Sequence, residues 1–180
     1  MSVKVTFVIG GARSGKSSFV LKEVSNIKGA RAYIATAEAL DDEMADRIDK
    51  HKEDRGQEWD TYEEPLHVAA LLSDIKDKYN TIVIDCLTLW LSNILTGIQS
   101  TDTGVKALEA MQDFIHDLNG LTSLKDLNLY IVSNEVGTGI VPENDLAREF
   151  RDLAGTMNQR IAALADEVNL VIAGIPVKIK

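Results

Sequence analysis

Gly10-Gly11-Ala12-Arg13-Ser14-Gly15-Lys16-Ser17 combines the residue types needed to grip a polyphosphate. Its glycines let the backbone curl until several N–H groups converge on one anion. Lys16 carries a point charge on an arm long enough for the terminal phosphates of a nucleoside triphosphate, and the hydroxyl of Ser17 suits Mg²⁺. Arg13 adds a second cation, with phosphate and solvent equally open to it. Thr81-Ile82-Val83-Ile84-Asp85 is an apolar run closing on a carboxylate. Asp85 is expected to join Ser17 in holding Mg²⁺, directly or through water.

A third segment, from Asp41 to Arg55, concentrates charge around an imidazole. If it is helical, Arg47, His51 and Arg55 recur every four residues on one face, with about 6 Å of rise between neighbours. Met44 and Ile48 offer a second, apolar face. Cations on both sides disfavour the protonated imidazole. A neutral imidazole can attack phosphorus and briefly carry a nucleotide, with the arginines stabilising the charge that develops. The spacing alone leaves this open against an exposed histidine on a solvated helix. His67 and His116 lack such company and are expected to be structural or surface residues; no pair has zinc-ligand spacing.

The elements that must position these groups follow from apolar periodicity. Val3 to Gly10, Arg31 to Thr36, Thr81 to Asp85, Leu127 to Ser133 and Val168 to Gly174 are short runs rich in Val, Ile and Leu, as strands covered on both faces require. Most intervening segments are long enough for crossover helices, so the expected fold is α/β with a mostly parallel sheet. One helix should begin at Ser17 and turn Phe19, Val20 and Val24 inward. A second should begin near Asp41, with acids at its positive end. A third should begin at Pro142 and carry the stripe Leu146, Phe150, Leu153, Met157, Ile161 and Leu164. Gly97 to Gly104 is expected to be an exposed loop.

A chain of 180 residues, 45 % hydrophobic and 26 % charged, fits one globular domain spanning 1–180. The formal net charge of −9 argues against nucleic acid or an anionic membrane as partner and for a small anionic ligand in a local basic site. No apolar run is long enough for a membrane span. Met1-Ser2-Val3-Lys4-Val5 leads straight into a strand pattern without a signal-peptide pattern, so the expected location is cytoplasmic. Cys86 stands alone and is expected to be a small buried hydrophobe.

With its strand before and helix after, Gly10 to Ser17 matches the G-x-x-x-x-G-K-[ST] pattern of a P-loop in full. Further blocks resemble one family, the bifunctional adenosylcobinamide kinase/adenosylcobinamide-phosphate guanylyltransferases. They are Tyr33-Ile34-Ala35-Thr36; Asp42-Glu43-Met44 with Arg47-Ile48 and His51; Asp85-Cys86-Leu87-Thr88-Leu89-Trp90 with Asn93; Ser133-Asn134-Glu135-Val136-Gly137-Thr138-Gly139-Ile140-Val141-Pro142; and Gly174-Ile175-Pro176. The likeness covers nearly the whole chain, and a generic P-loop protein would share only the first motif.

The resemblance implies a RecA-like P-loop domain, a homotrimer and two reactions. A nucleoside triphosphate, ATP or GTP, phosphorylates adenosylcobinamide. GTP then donates GMP through a histidine, here His51, to give adenosylcobinamide-GDP. It also implies that GTP contacts the cradle, Ala35-Thr36-Ala37, Lys52-Glu53-Asp54-Arg55 and Glu63. A carboxylate at Glu63 suits guanine because it can accept from N1–H and the exocyclic amine together, and the chain lacks the common N-K-x-D box; a plain surface acid is the other reading. Arg148 and Arg151 are open to substrate phosphate or to surface ion pairs. A P-loop kinase of another small molecule and a non-catalytic GTP-binding switch are the competing functions.

Overall fold

The computed structural model describes residues 3–97, 103–121 and 126–180. Among them one sheet has seven strands in the order β3-β2-β4-β5-β1-β6-β7. The strands are β1 (Lys4–Gly10), β2 (Arg31–Ala35), β3 (Asp60–Glu63), β4 (Thr81–Asp85), β5 (Asn128–Asn134), β6 (Glu167–Ile172) and β7 (Ile175–Lys178). All neighbouring pairs are parallel except β6 with β7, which form an antiparallel hairpin at one edge. The fold is α/β and of the RecA-like P-loop type, as expected from the sequence.

Burial explains why the central strands carry near-continuous apolar runs. Val5, Phe7 and Ile9 of β1 face one side of the sheet, into a core completed by α3 (Val68–Ile75), α4 (Leu87–Gly97), α5 (Thr103–Gly120) and α6 (Asp145–Leu164). Val8 faces the other side, where Val20 and Val24 of α1 (Lys16–Val24) close a smaller cluster with Tyr33, Val83 and Val132. Phe19 is only half-buried there.

The remaining helix, α2 (Asp42–Arg55), belongs to neither core. Asp41 caps it by accepting a hydrogen bond from the Met44 amide at 2.7 Å, which fits the start expected near Asp41.

Two expectations need correction. Pro142 does not open α6. Asn144 does, accepting from the Ala147 amide at 3.0 Å, and its side-chain oxygen satisfies a first-turn donor as proline cannot. The α6 stripe is buried only in its middle, at Met157 and Ile161, whereas Leu146 and Leu164 are exposed. The stretch from Gly97 to Gly104 is also not all loop, because Gly97 ends α4 and Gly104 lies in α5; residues 98–102 fall outside the described residues.

Candidate functional site

The open ends of β1, β2, β4 and β5 meet the start of α1 and the length of α2 around a cleft of about 520 Å³. Ligands of open parallel sheets gather at this carboxyl end. The cleft is lined by Arg13 to Ser17 on one side, by Arg47, His51 and Arg55 on another, and by Asp85 at its floor. The phosphate-gripping run and the histidine helix, separate in sequence, thus share one cavity.

The cradle is held from behind. Gly10 has φ 159°, and a Cβ there would meet the Val171 carbonyl oxygen at 2.3 Å, so only glycine fits. Gly15 adopts φ 96° and lies against Gly174 of the β6–β7 turn. The Gly174 amide in turn donates to the Ser14 carbonyl at 2.8 Å. The final hairpin therefore braces the loop.

Lys16 folds back onto the loop, donating to the carbonyls of Gly10 at 3.1 Å and Gly11 at 2.7 Å. Burial lowers its pKa from the ordinary lysine value, partly offset by the nearby Cys86 and Asp85. A desolvated ammonium held by two neutral carbonyls gains strongly from an arriving phosphate. The Ser14 hydroxyl is buried without a hydrogen-bond partner among the described residues, a further polar atom open to a ligand.

Asp85 ends β4, and its Oδ2 accepts from Ser17 Oγ at 2.7 Å and from the Tyr33 hydroxyl at 2.5 Å. The Tyr33 ring carries the Arg55 guanidinium at 4.1 Å and stands perpendicular to the Trp59 ring, with centroids 5.8 Å apart. Burial first, then the Asp85 charge, raises the phenol pKa well above its usual value. The neighbouring thiol of Cys86 is buried, which raises its pKa too and keeps it a hydrophobe.

Other residues singled out from the sequence sit at varied distances from the cleft. Ala35 and Ala37 line it. Thr36 is buried, its hydroxyl donating to the Cys86 carbonyl and accepting from the Cys86 amide, both at 2.8 Å. Gly10, Gly11, Ala12, Lys52, Glu53 and Glu63 are outside the lining. Lys52 and Glu63 pair with each other at 2.6 Å. The side chain of Asp54 lies outside the described residues. Arg148 is held by the Pro142 and Glu143 carbonyls and by Asp145, and Arg151 pairs with Asp152. His67 and His116 are exposed.

Sequence reasoning passed over Tyr33 and Asn134 as site residues, although both line the cleft. Asn134 ends β5 in register with Gly10, and its amide donates to Thr88 at 2.9 Å. Its position at the tip of the strand beside the cradle was the available signal.

Comparison with known proteins agrees with this geometry. Residues 6–179 match the family model described as cobinamide kinase / cobinamide phosphate guanyltransferase. The chain is 43 % identical over 178 residues to the bifunctional adenosylcobalamin biosynthesis protein CobU of Salmonella typhimurium, covering 96 % of this chain and 98 % of that one. It is 40 % identical to the Escherichia coli protein of the same name, with the same coverage. Against CobP of Pseudomonas aeruginosa, also a bifunctional adenosylcobalamin biosynthesis protein, identity is 38 %, with 96 % and 95 % covered. Among solved structures, the flagellar accessory protein FlaH of Methanocaldococcus jannaschii superposes with a TM-score of 0.55 at 11 % identity, over 98 % of this chain and 78 % of that one. That likeness concerns the fold alone.

Proposed function

The chain belongs to the cobinamide kinase / cobinamide phosphate guanyltransferase family, and from that membership we propose how its one cleft performs both reactions. The enzyme phosphorylates cobinamide, in its adenosyl form, and then adds GMP to the new phosphate. In the first step a nucleoside triphosphate lies along Gly10 to Ser17, and Lys16 leaves its backbone carbonyls for the terminal phosphates. The substrate hydroxyl attacks the γ-phosphorus and the diphosphate departs. In the second step, Nδ1 or Nε2 of His51 attacks the α-phosphorus of GTP. A P–N bond forms, the bond to pyrophosphate breaks, and GMP passes from His51 to the cobinamide phosphate. Arg47 and Arg55 flank the imidazole and would stabilise the charge gathering on phosphorus.

Mg²⁺ fits the floor of the cleft. Ser17 and Asp85 present hard oxygen donors within hydrogen-bond reach of each other, the donor type that Mg²⁺ takes beside nucleotide phosphates. Bound there with the nucleotide, the ion would neutralise phosphate charge. GTP serves the second step, and ATP or GTP the first. We further propose a cytoplasmic homotrimer. The exposed Ile175, Val177 and Ile179 on the edge hairpin are the kind of surface that self-association would cover. No described helix is long and apolar enough to cross a membrane.

The single observation that carries the reading is the shared cleft of Lys16 and His51. Its test is the mass of the protein after incubation with GTP and Mg²⁺. The expected result is one GMP adduct, mapped to His51, released by acid and stable to alkali. An adduct on His51→Ala protein, or none on the parent, would overturn it.

A further inference from the structure

We propose that Tyr33 is a positioning residue shared by the two half-reactions: its hydroxyl aims the Asp85 carboxylate and its ring seats the far end of the histidine helix. This rests on the roles given above to Asp85 and His51. Tyr33 is 3 % exposed, in a cluster otherwise built mainly from valines. Phenylalanine would fill the same space without a polar atom to satisfy, so the hydroxyl needs an explanation. Its partner is the Asp85 carboxylate, at 2.5 Å.

The same oxygen also accepts from Ser17. Ser17 stands at the cleft, where its hydroxyl is the group expected to turn to a bound cation. When it turns, Tyr33 is the donor left on Asp85 Oδ2 among the described residues. The phenol is suited to that task because its ring packs against both Trp59 and the Arg55 guanidinium.

The opposite contact reaches the other chemistry. Arg55 is one helical turn from His51 at the end of α2, and its Nε is buried without a hydrogen-bond partner among the described residues. A partly desolvated guanidinium is attracted to an aromatic face. The Tyr33 face, 4.1 Å from its carbon, anchors it. One side chain thus touches both the carboxylate beside the phosphate loop and the helix bearing the imidazole.

Three variants separate the two contacts. Tyr33→Phe keeps the ring and loses the hydroxyl, Arg55→Met keeps the helix and loses the cation, and Tyr33→Leu loses both contacts. Each is titrated calorimetrically with GTP over a series of Mg²⁺ concentrations and then followed for the rate of GMP labelling at saturating Mg²⁺. Tyr33→Phe is expected to need on the order of tenfold more Mg²⁺, the loss of a hydrogen bond to a charged group, with metal-free GTP binding and the labelling rate kept. Arg55→Met is expected to keep the Mg²⁺ requirement and label roughly tenfold more slowly. Tyr33→Leu keeps the Arg55 charge and should show both defects, which separates seating of the helix from the direct charge stabilisation given above to Arg55; if it does not fold, Tyr33→Met takes its place. An unchanged Mg²⁺ requirement in Tyr33→Phe, or the same pair of defects in Tyr33→Phe and Arg55→Met, would overturn the proposal. If the parent takes no label, the guanylylation reading falls, while the Mg²⁺ titration still decides the role of the hydroxyl.

Discussion

The two sides of the cleft are built very differently. The phosphate loop rises from β1, an interior strand of the sheet, and is backed by Val171, Gly174 and the buried face of α1. The histidine helix contributes no residue to either core, and Met44, Ile48 and His51 are only half-buried. Side chains tie it to the rest of the molecule, through Arg13–Glu43 at one end and Lys52–Glu63 and Arg55–Tyr33 toward the other. The difference suits the two chemistries. Gripping a triphosphate needs donors fixed in advance. In the role proposed for it, taking GMP in one step and delivering it in the next, the histidine must serve two geometries, and a helix held by few contacts opens at low cost.

The largest expected effect separates the two sides by activity. Lys16→Ala should lower both reactions by about a hundredfold or more, since it removes the cation that meets the terminal phosphates. His51→Ala should abolish GMP transfer and leave cobinamide phosphorylation within a few-fold of the parent. Separate assays of the two products check this. Equal loss of both in His51→Ala would erase the division drawn here.

A matched pair of truncations tests the packing contrast. Ile84, 0 % exposed on β4, should cost about 3 kcal/mol when cut to alanine. Ile48, half-buried on α2, should cost about 1 kcal/mol or less. Urea melts of the two variants measure the gap, and similar costs would mean that the helix is packed as firmly as the sheet.

Titration sharpens the picture of the cradle. Burial depresses the Lys16 pKa below the ordinary 10.5, so over the window between that lowered value and 10.5 the unfolded chain binds more protons than the native one. Stability should therefore gain a rising contribution as pH climbs through that window, as the burial penalty on the charge is relieved. Nucleotide affinity should fall over the same range. Lys16→Met should lack this contribution to the pH dependence of stability.

The smallest effect belongs to the outer tether. Arg13 and Glu43 pair at 3.2 Å with side chains 78 % and 84 % exposed, and a double-mutant cycle should find a coupling below about 0.5 kcal/mol, vanishing at high salt. A much larger coupling would show α2 to be locked to the loop.

Much of the rigid side was legible in the sequence. The glycine run, the apolar strand before it and the run ending in Asp85 encode the cradle locally. β4 spans the expected Thr81 to Asp85. The central strands are buried on both faces, so their composition alone announces them. The edges are less legible: β3 reads Asp-Thr-Tyr-Glu and is largely exposed, and β7 contains Pro176, which an outer strand tolerates. The contacts of Tyr33 were hidden for another reason. A tyrosine in a buried strand run resembles any core aromatic, and only the register of β2 on β4, which sets Ala35 opposite Asp85, brings its hydroxyl to the carboxylate.

The place of β1 also bears on how the enzyme is made. Its two neighbours are β5 and β6, with Lys4 opposite Asn128 and Thr6 opposite Glu167. During synthesis the first apolar strand leaves the ribosome long before either partner exists, and its hydrogen-bonding edges stay open meanwhile. Distant pairings of this kind fold slowly and expose sticky intermediates. The nascent chain is thus most prone to clump before β5 and β6 have been translated, the stage at which a chaperone would matter most.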